Sequence, residues 1–325
     1  MRSFRIRGVM TSTSGALEAQ TRRSFSFQNT TRPEPKAFLE GTMTYTYFQS
    51  EPEFSEYFGK KPFLFSHTLG SNDLFTTKSV EKLAEIWSRD SSKKGFFYLD
   101  RKFREWGSED HKASLVEAFR HSDLSRMRMK LSFIHTQPGY SEILETMTGE
   151  LSQLTGVDLV KQYKSPMETL FLSSPNEFTP YHIDSEDSFL LQIQGTKTIY
   201  IFDGSDSEIL SGRDIERYWA QNQIEFREEI RSRAARFEMK PGTGVHIPMH
   251  FPHMVESGPI SSMSLSIGYE SVAFDRNLYR VNHQLRKLGL SPSPPGKHKV
   301  IDDTKMAVFA GARTLSRTLK PRQTK

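Results

Sequence analysis

The chain contains no cysteine, and this absence narrows the chemistry that its 325 residues can support. Without thiols it has no disulfide, no thiolate nucleophile and no cysteine-ligated metal, so histidine and carboxylate remain as the strong metal ligands. A chain without cysteine also fits the reducing cytoplasm. We therefore expect a cytoplasmic protein.

Long apolar runs are missing as well, and none approaches the roughly 20 residues that a membrane-spanning helix needs. We expect no membrane partner. Residues 1–7 are positively charged, but no apolar segment follows them, which argues against a secretory signal. The opening loosely matches an organellar transit peptide, and a plain disordered tail is the favoured alternative.

Acidic residues are scarce at the two ends of the chain. Residues 1–35 hold six arginines against two glutamates, and residues 286–325 hold ten lysines and arginines against two aspartates. Because the net charge is only +5, residues 36–285 must be net negative. A nucleic-acid interface needs positive charge on the folded body, so we expect no nucleic-acid partner.

Hydrophobic periodicity and turn residues divide the chain into four segments. They are a flexible basic tail (1–35), an N-terminal α/β bracing region (36–165), a strand-rich core (166–272) and C-terminal helices with a basic tail (273–325). The core carries a charged helical insertion at 206–236, which forms either a lid or ordinary packing. Within the core, the pattern predicts a hairpin around Gly195-Thr196. Further helices are predicted near 77–89, 113–119, 140–154, 275–288 and 303–319.

One short stretch holds two strong metal ligands, His182 and Asp184, with a single residue between them. Residues two apart on a β-strand point to the same face, so the imidazole and the carboxylate would converge. They supply two ligands of a 2-His-1-carboxylate site, which suits non-haem Fe(II) and leaves coordination positions open. His253 is the candidate third ligand, and His246 and His250 compete with it.

Two further polar residues flank this pair. Thr179 precedes His182 by three residues, and Lys197 follows an apolar strand that ends in Gly195. A hydroxyl and a cation on strands beside a metal triad are what binding of a dicarboxylate co-substrate to iron requires. The alternative places Lys197 in solvent beyond the turn, since a buried cation without an anion costs several kcal/mol, on the order of 3–5.

These residues form motifs that resemble a known family. Residues 179–184 read Thr-Pro-Tyr-His-Ile-Asp, residues 192–197 read Gln-Ile-Gln-Gly-Thr-Lys, and a Pro-Gly, Ile-Pro, His order ends at His253. The chain resembles the JmjC-type cupin oxygenases, which depend on Fe(II) and 2-oxoglutarate. Within them it is most similar to the asparaginyl hydroxylase that inhibits hypoxia-inducible factor and to its bacterial relatives. The detailed resemblance covers residues 165–202 and 237–272.

The resemblance implies a mainly β fold with flanking helices, built on a double-stranded β-helix (a cupin or jelly-roll barrel). It implies Fe(II) held by His182, Asp184 and His253, with O₂ as oxidant. Thr179 and Lys197 would bind 2-oxoglutarate. Ser188, which stands where that hydroxylase has an asparagine, is a further co-substrate contact, and Gly268 replaces a second asparagine. A homodimer through the C-terminal helices is also implied.

The function implied is hydroxylation of a protein, peptide or peptide-like side chain. Demethylation uses the same hydroxylation step on an N-methyl carbon, and the chain shows no histone-reader or zinc signature to favour it. A non-catalytic cupin, in which the metal serves structure or ligand sensing, is the main alternative. A metal-dependent cupin isomerase or dioxygenase without 2-oxoglutarate ranks last, because such proteins usually have more histidine ligands and no co-substrate lysine.

Overall fold

Strands dominate the part of the chain that the structure, a computed structural model, describes, which is residues 45–89, 96–100, 127–164 and 166–318. In chain order the strands are β1 (Phe63–Ser66), β2 (Phe96–Asp100), β3 (Met127–Ser132), β4 (Met167–Ser173), β5 (Phe178–His182), β6 (Asp187–Gln194), β7 (Lys197–Ile201), β8 (Ala235–Met239), β9 (Thr243–Ile247), β10 (His253–Ser257) and β11 (Ser262–Tyr269).

These strands pair antiparallel in two sheets. The larger sheet has the order β1-β9-β6-β11-β4-β3-β2, and the smaller has the order β5-β10-β7-β8. Leu190 and Val245 of the larger sheet meet Ile199 and Met239 of the smaller sheet in one apolar layer between them. The prediction of a mainly β, jelly-roll fold with flanking helices is confirmed.

The turn at Gly195 does not close a hairpin, so that prediction is wrong. Strands β6 and β7 flank the turn, yet β6 pairs with β9 and β11, whereas β7 pairs with β10 and β8. Gly195 has φ +68°, and a Cβ there would lie 2.5 Å from the carbonyl oxygen of Ser261. Only glycine accepts this backbone at so close an approach, and the turn carries the chain from one sheet to the other.

The outer face of the larger sheet carries the larger hydrophobic core. Met263, Leu265 and Ile267 alternate along β11 and pack there with aromatic residues such as Phe189. The serines between them point to the inner face, where Ser264 is fully buried. The space between the sheets is therefore partly polar.

Helices near 77–89, 140–154, 275–288 and 303–319 lie where amphipathic spacing predicts them, and further helices also flank the sheets. They are α1 (Glu53–Tyr57), α2 (Thr77–Arg89), α3 (Tyr140–Thr155), α4 (Leu159–Gln162), α5 (Gly212–Gln221), α6 (Arg276–Lys287) and α7 (Lys299–Thr318). Helix α7 starts four residues before the predicted position. The basic tail (1–35) and the predicted helix at 113–119 lie outside the described residues.

Local chemistry sets the ends of two of these helices. Helix α3 stops at Gly156, which adopts φ +69° at the C-cap. The Asp275 carboxylate accepts a hydrogen bond of 2.8 Å from the backbone N–H of Asn277 and so caps the start of α6. The insertion at 206–236 is helical as predicted, with α5 and a 3-10 helix at Glu228–Arg233. The boundaries of the four predicted segments remain a prediction.

Among the described residues, no helix is long and apolar enough to cross a membrane. The longest of them, α7, carries several charged residues along its length. The compartment of the protein stays a prediction.

Candidate metal centre

The strand pair β5–β10 brings together the three predicted metal ligands. His182 and His253 are direct partners across the two strands. Asp184 lies two residues beyond the end of β5, rather than on the strand itself. One ligand atom from each of the three residues lies within 4.8 Å of the others, and the two imidazole ring centroids are 4.1 Å apart.

The hydrogen bonds of the two imidazoles fix which ring nitrogen faces the centre. Nδ1 of His182 lies 2.7 Å from the Pro180 carbonyl oxygen, and Nδ1 of His253 lies 3.0 Å from that of Phe251. A carbonyl oxygen can only accept, so each Nδ1 carries the proton and each Nε2 presents a lone pair. The two Nε2 atoms lie 3.9 and 3.5 Å from the Asp184 carboxylate oxygens.

Electrostatics favour the protonation states that a divalent cation requires. Burial lowers the pKa of His253 to about 4, helped by His182 and opposed by Asp184. Burial alone would raise the pKa of Asp184, but His182, His253 and Lys130 hold it below its ordinary value. The lone pair of His253 and the carboxylate of Asp184 therefore face one another at neutral pH. This donor set fits a metal ion, which would offset the repulsion among them.

Lys197 lies inside the fold. The alternative that places its side chain in solvent beyond the Gly195 turn is therefore wrong. Its side chain is only 6% exposed. Its ammonium donates a hydrogen bond of 2.5 Å to the Ser264 hydroxyl and lies 5.9 Å from the ring centroid of Phe171. Burial, together with the charge of Arg128, lowers the pKa of Lys197 to about 7.

The lysine and the metal ligands occupy one inner surface. On β7, Lys197 and Ile201 are four residues apart and point to the same face, and Ile201 is the strand partner of His253. Four residues of strand span about 13 Å, so the backbone of Lys197 lies about that far along β7 from the strand partner of His253.

Thr179 and Ser188, the other predicted co-substrate contacts, lie on different sheets. The Thr179 hydroxyl, on β5, accepts a hydrogen bond of 2.8 Å from Nη1 of Arg128. Ser188 is buried on β6, where its strand partners are Ile247 and Gly268. The position of Ser188 in the binding of a co-substrate remains a prediction.

Gly268 leaves room for an acidic side chain. A Cβ at this position would lie 3.1 Å from Cγ of Glu186. Glu186 therefore occupies the space in which the asparagine of the resembling hydroxylase would begin. Burial, and then the neighbouring carboxylates of Asp184 and Glu270, raise the pKa of Glu186 to about 7.

The two competing histidines have other contacts. His246 is fully buried on the outer face of the larger sheet, between Phe58, Phe63 and Phe189. Burial lowers its pKa to about 3. His250 lies in the loop before β10, and its backbone N–H donates to the Asp184 carbonyl oxygen over 3.1 Å. His250 therefore supports the backbone at Asp184 and does not itself serve as a candidate ligand.

Residues of the insertion and of the C-terminal helix α6 cover this loop. Trp219 of α5 donates its indole hydrogen to Nε2 of His250, and its ring contacts Phe274. Tyr279 of α6 contacts the His250 ring from another side. Tyr181, between Pro180 and His182, packs in a separate core with Phe202.

Two cations near the site are not among the residues predicted from the sequence. Arg128 and Lys130 lie on β3, and their neighbours Met129 and Leu131 are buried in the outer core. The alternation Arg-Met-Lys-Leu was the available signal, because it puts both cations on the inner face. Lys130 lies 5.7 Å from the Phe171 ring centroid, close to the distance of Lys197 from the same ring.

Comparison with known families gives the decisive observation. Residues 149–276, which include all three ligand residues, match the JmjC domain. The match to the JmjC domain covers these residues and not the whole chain. The resemblance inferred from the motifs is thereby confirmed. No curated protein matches the sequence.

Among solved structures, the chain is similar to the Escherichia coli ribosomal oxygenase YcfD, at 16% identity and a TM-score of 0.46, covering 86% of this chain and 70% of that chain. YcfD in complex with cobalt and 2-oxoglutarate gives 17% identity and a TM-score of 0.45, with 86% and 69% coverage. The DMSP lyase DddQ from Ruegeria pomeroyi DSS-3 gives 11% identity and a TM-score of 0.23, with 34% and 41% coverage. The resemblance to JmjC-type oxygenases therefore depends on the match of residues 149–276 and on the geometry of the site.

Proposed function

We propose that the JmjC domain of this protein is an Fe(II)- and 2-oxoglutarate-dependent hydroxylase that acts on a protein, peptide or peptide-like side chain. The observation that carries the proposal is the pairing of two features on one inner surface. The first is the ligand set of His182, Asp184 and His253. The second is the buried ammonium of Lys197, whose hydrogen-bond partner is a neutral hydroxyl. A dicarboxylate that binds the metal at one end meets a cation at the other.

In this function His182 and His253 hold the metal through Nε2, and the backbone carbonyls that accept from their Nδ1 atoms keep the rings oriented. Bound Fe(II) supplies the oxidation, in which O₂ and 2-oxoglutarate give succinate, CO₂ and one oxygen atom inserted into a substrate C–H bond. Lys197 and Thr179 orient the co-substrate. Trp219 packs on the loop of His250 and helps to keep water from that side of the site.

The test is an anaerobic titration of Fe(II) and then 2-oxoglutarate into the purified protein, followed by visible absorption. We expect a metal-to-ligand charge-transfer band in the native protein, a weaker band in Lys197→Ala and none in Asp184→Ala. Admission of air should then convert 2-oxoglutarate to succinate. Peptide libraries screened for a mass gain of one oxygen atom would identify the substrate.

A non-catalytic metal-binding cupin is the competing function, and one observation favours it. Glu186 places an additional carboxyl group beside Asp184, in space left by Gly268. If the native protein binds Fe(II) tightly but shows neither the band nor succinate formation, the hydroxylase proposal fails and the competing function takes its place.

A further inference from the structure

A cavity lies between helices α5 and α6, which pack against each other. Its volume is about 570 Å³, which is within the range of small-molecule sites. The residues that line it come from the start of α5, the end of α6 and the segment that follows α6. None of the predicted metal ligands or co-substrate contacts is among them, so this cavity is separate from the candidate metal centre.

The side chains that line this cavity carry more positive than negative charge. Four are cations and two are carboxylates, namely Arg213, Arg217, Arg286, Lys287, Asp214 and Glu216. Both carboxylates are already engaged. Arg217 pairs with Asp214, and Nε of Arg286 lies 2.5 Å from a Glu216 oxygen. Arg213 and Lys287, by contrast, have no hydrogen bond or ion pair among the described residues.

The cations lie on both sides of the cavity. Arg213 and Arg217 are four residues apart on α5, so they share one face of the helix with their Cβ atoms about 6 Å apart. Arg286 and Lys287 end α6 on the other side. Each helix therefore contributes two cations, and a ligand between the helices meets positive charge at several separate points.

His283, which also lines the cavity, gives an independent indication of a ligand. Its Nε2 atom is buried and has no hydrogen-bond partner among the described residues. Burial, and then the charge of Lys287, lower the pKa of His283, so the ring is neutral at pH 7 and offers one donor and one acceptor. Buried polar atoms in native proteins nearly always have a partner. An exception on a residue that lines a cavity indicates a group that binds there.

We propose that this cavity binds a small organic diphosphate, whose phosphate groups lie between the cations of α5 and α6. A diphosphate presents negative charge at more than one point, and arginine offers several N–H donors to phosphate oxygens. Gly289 and Leu290 form a less polar part of the wall, and Leu290 is 55% exposed. An organic group attached to the phosphates would cover this apolar surface. The inference goes beyond the proposed function and uses neither the metal nor 2-oxoglutarate.

The test is equilibrium binding of ADP, pyrophosphate and adenosine to the full chain by isothermal titration calorimetry. The protein is freed of metal beforehand, so that no diphosphate binds through a metal ion at the metal centre. We expect ADP to bind most tightly, pyrophosphate to bind more weakly and adenosine not to bind. Equal affinities for ADP and adenosine would overturn the inference, because the cations would then contribute nothing.

Arg213→Gln and Lys287→Gln are the informative variants, since both side chains are exposed. Each should weaken ADP binding about 3- to 10-fold, between the effect of an exposed ion pair and that of a hydrogen bond to a charged group. The double variant should weaken it about 10- to 100-fold if the two sites are additive. Arg213→Lys keeps the charge and should lose less affinity than Arg213→Gln. It also carries the test if thermal unfolding shows that Arg213→Gln does not fold.

Lys297→Gln is the matched control, because it removes one charge from an exposed residue of the same region that does not line the cavity. If it weakens ADP as much as Lys287→Gln does, the anion responds only to the general charge of the protein and the inference is overturned. Loss of ADP binding in Lys197→Met would place the ligand between the sheets and overturn it as well. The same holds if the native protein binds neither ADP nor pyrophosphate.

Discussion

Nε1 of Trp219 donates a hydrogen bond of 3.1 Å to Nε2 of His250. His250 in turn donates its backbone N–H to the carbonyl oxygen of Asp184. The helical insertion is therefore connected to a candidate metal ligand through a single residue. Because burial lowers the pKa of His250 to about 4, its ring is neutral at physiological pH and Nε2 remains an acceptor.

Trp219→Phe should destabilise the fold, because it keeps an aromatic ring but leaves Nε2 of His250 buried without a donor. A buried acceptor that loses its partner costs about 1–3 kcal/mol. The free energy of unfolding in urea measures this loss, and metal affinity should fall with it. His250→Asn is the companion variant, since asparagine tolerates the φ of +63° at this position. If the two substitutions are additive in the double variant, the hydrogen bond does not couple them.

Glu168 should make stability fall as pH rises. It is fully buried in the outer core, and neither carboxylate oxygen has a hydrogen-bond partner among the described residues. Burial raises its pKa from 4.5 to about 8. The folded state then holds a proton that the unfolded state releases above pH 4.5, so stability declines between these two values and is lowest above the folded pKa. Glu168→Gln should be more stable than the native protein at pH 8, with a flatter pH profile.

Glu150 provides the control for this prediction. It is also buried, but its carboxylate accepts hydrogen bonds from the backbone N–H groups of Thr46, Tyr47 and Phe48. Glu150→Gln replaces one acceptor oxygen by a donor and should destabilise the protein. Urea midpoints for both variants across pH 5–9 are the measurement, and opposite signs are expected. Equal losses in the two variants would contradict our account of Glu168.

Lys197→Met should stabilise the ligand-free protein while abolishing co-substrate binding. The pKa of Lys197 falls from 10.5 to about 7 on folding, so the unfolded state binds more protons between these values and stability rises with pH across that window. Methionine removes this penalty and fills a similar volume. Thermal unfolding at pH 7, with and without 2-oxoglutarate, checks both effects. A less stable Met variant would mean that the ammonium already has a stabilising partner.

The C-terminal helices should join two copies of the chain. Val300 and Val308 of α7 are 79% and 68% exposed, and Leu288 at the end of α6 is 77% exposed. We expect a homodimer in light scattering, and a monomer for the double variant Val300→Asp, Val308→Asp, because two charges would be buried without partners. Val160, which is 63% exposed on α4, gives a control substitution that should leave the dimer intact.

The candidate metal ligands were predictable in part from short-range spacing. His182 and Asp184 lie two residues apart and converge, although Asp184 lies beyond the end of β5 and not on the strand itself. The assignment of His253 depended on the order of the motifs in the resembling family, because no local pattern shows that β10 pairs with β5. The prediction of a hairpin at Gly195 was wrong for a related reason. A glycine turn between two strands is typical of a hairpin, but only long-range pairing decides whether the flanking strands share a sheet.

The charges of the inner space were harder to foresee. The burial of Lys197 depends on Ser264, which lies more than sixty residues away. Arg128 reaches Thr179 from a strand of the other sheet. The alternation of Arg128 and Lys130 with apolar residues could have placed these two cations on one face of β3. Which faces of the two sheets pack together depends on how the sheets stack. Strand order is a property of the whole chain, and local patterns do not encode it.

The crossing turn at Gly195 also has a consequence for how the protein folds. From β4 to β7 and again from β8 to β11, no strand pairs with its neighbour in sequence. The strand pairs of the jelly roll therefore need contacts between distant parts of the chain. Each pair must lose the entropy of closing a long loop before its hydrogen bonds can stabilise it. High contact order of this kind slows folding and leaves strand edges exposed during synthesis. The candidate ligands His182 and His253 become strand partners only when that search is complete, so a metal ion that needs both would bind only to a chain that has already found its register.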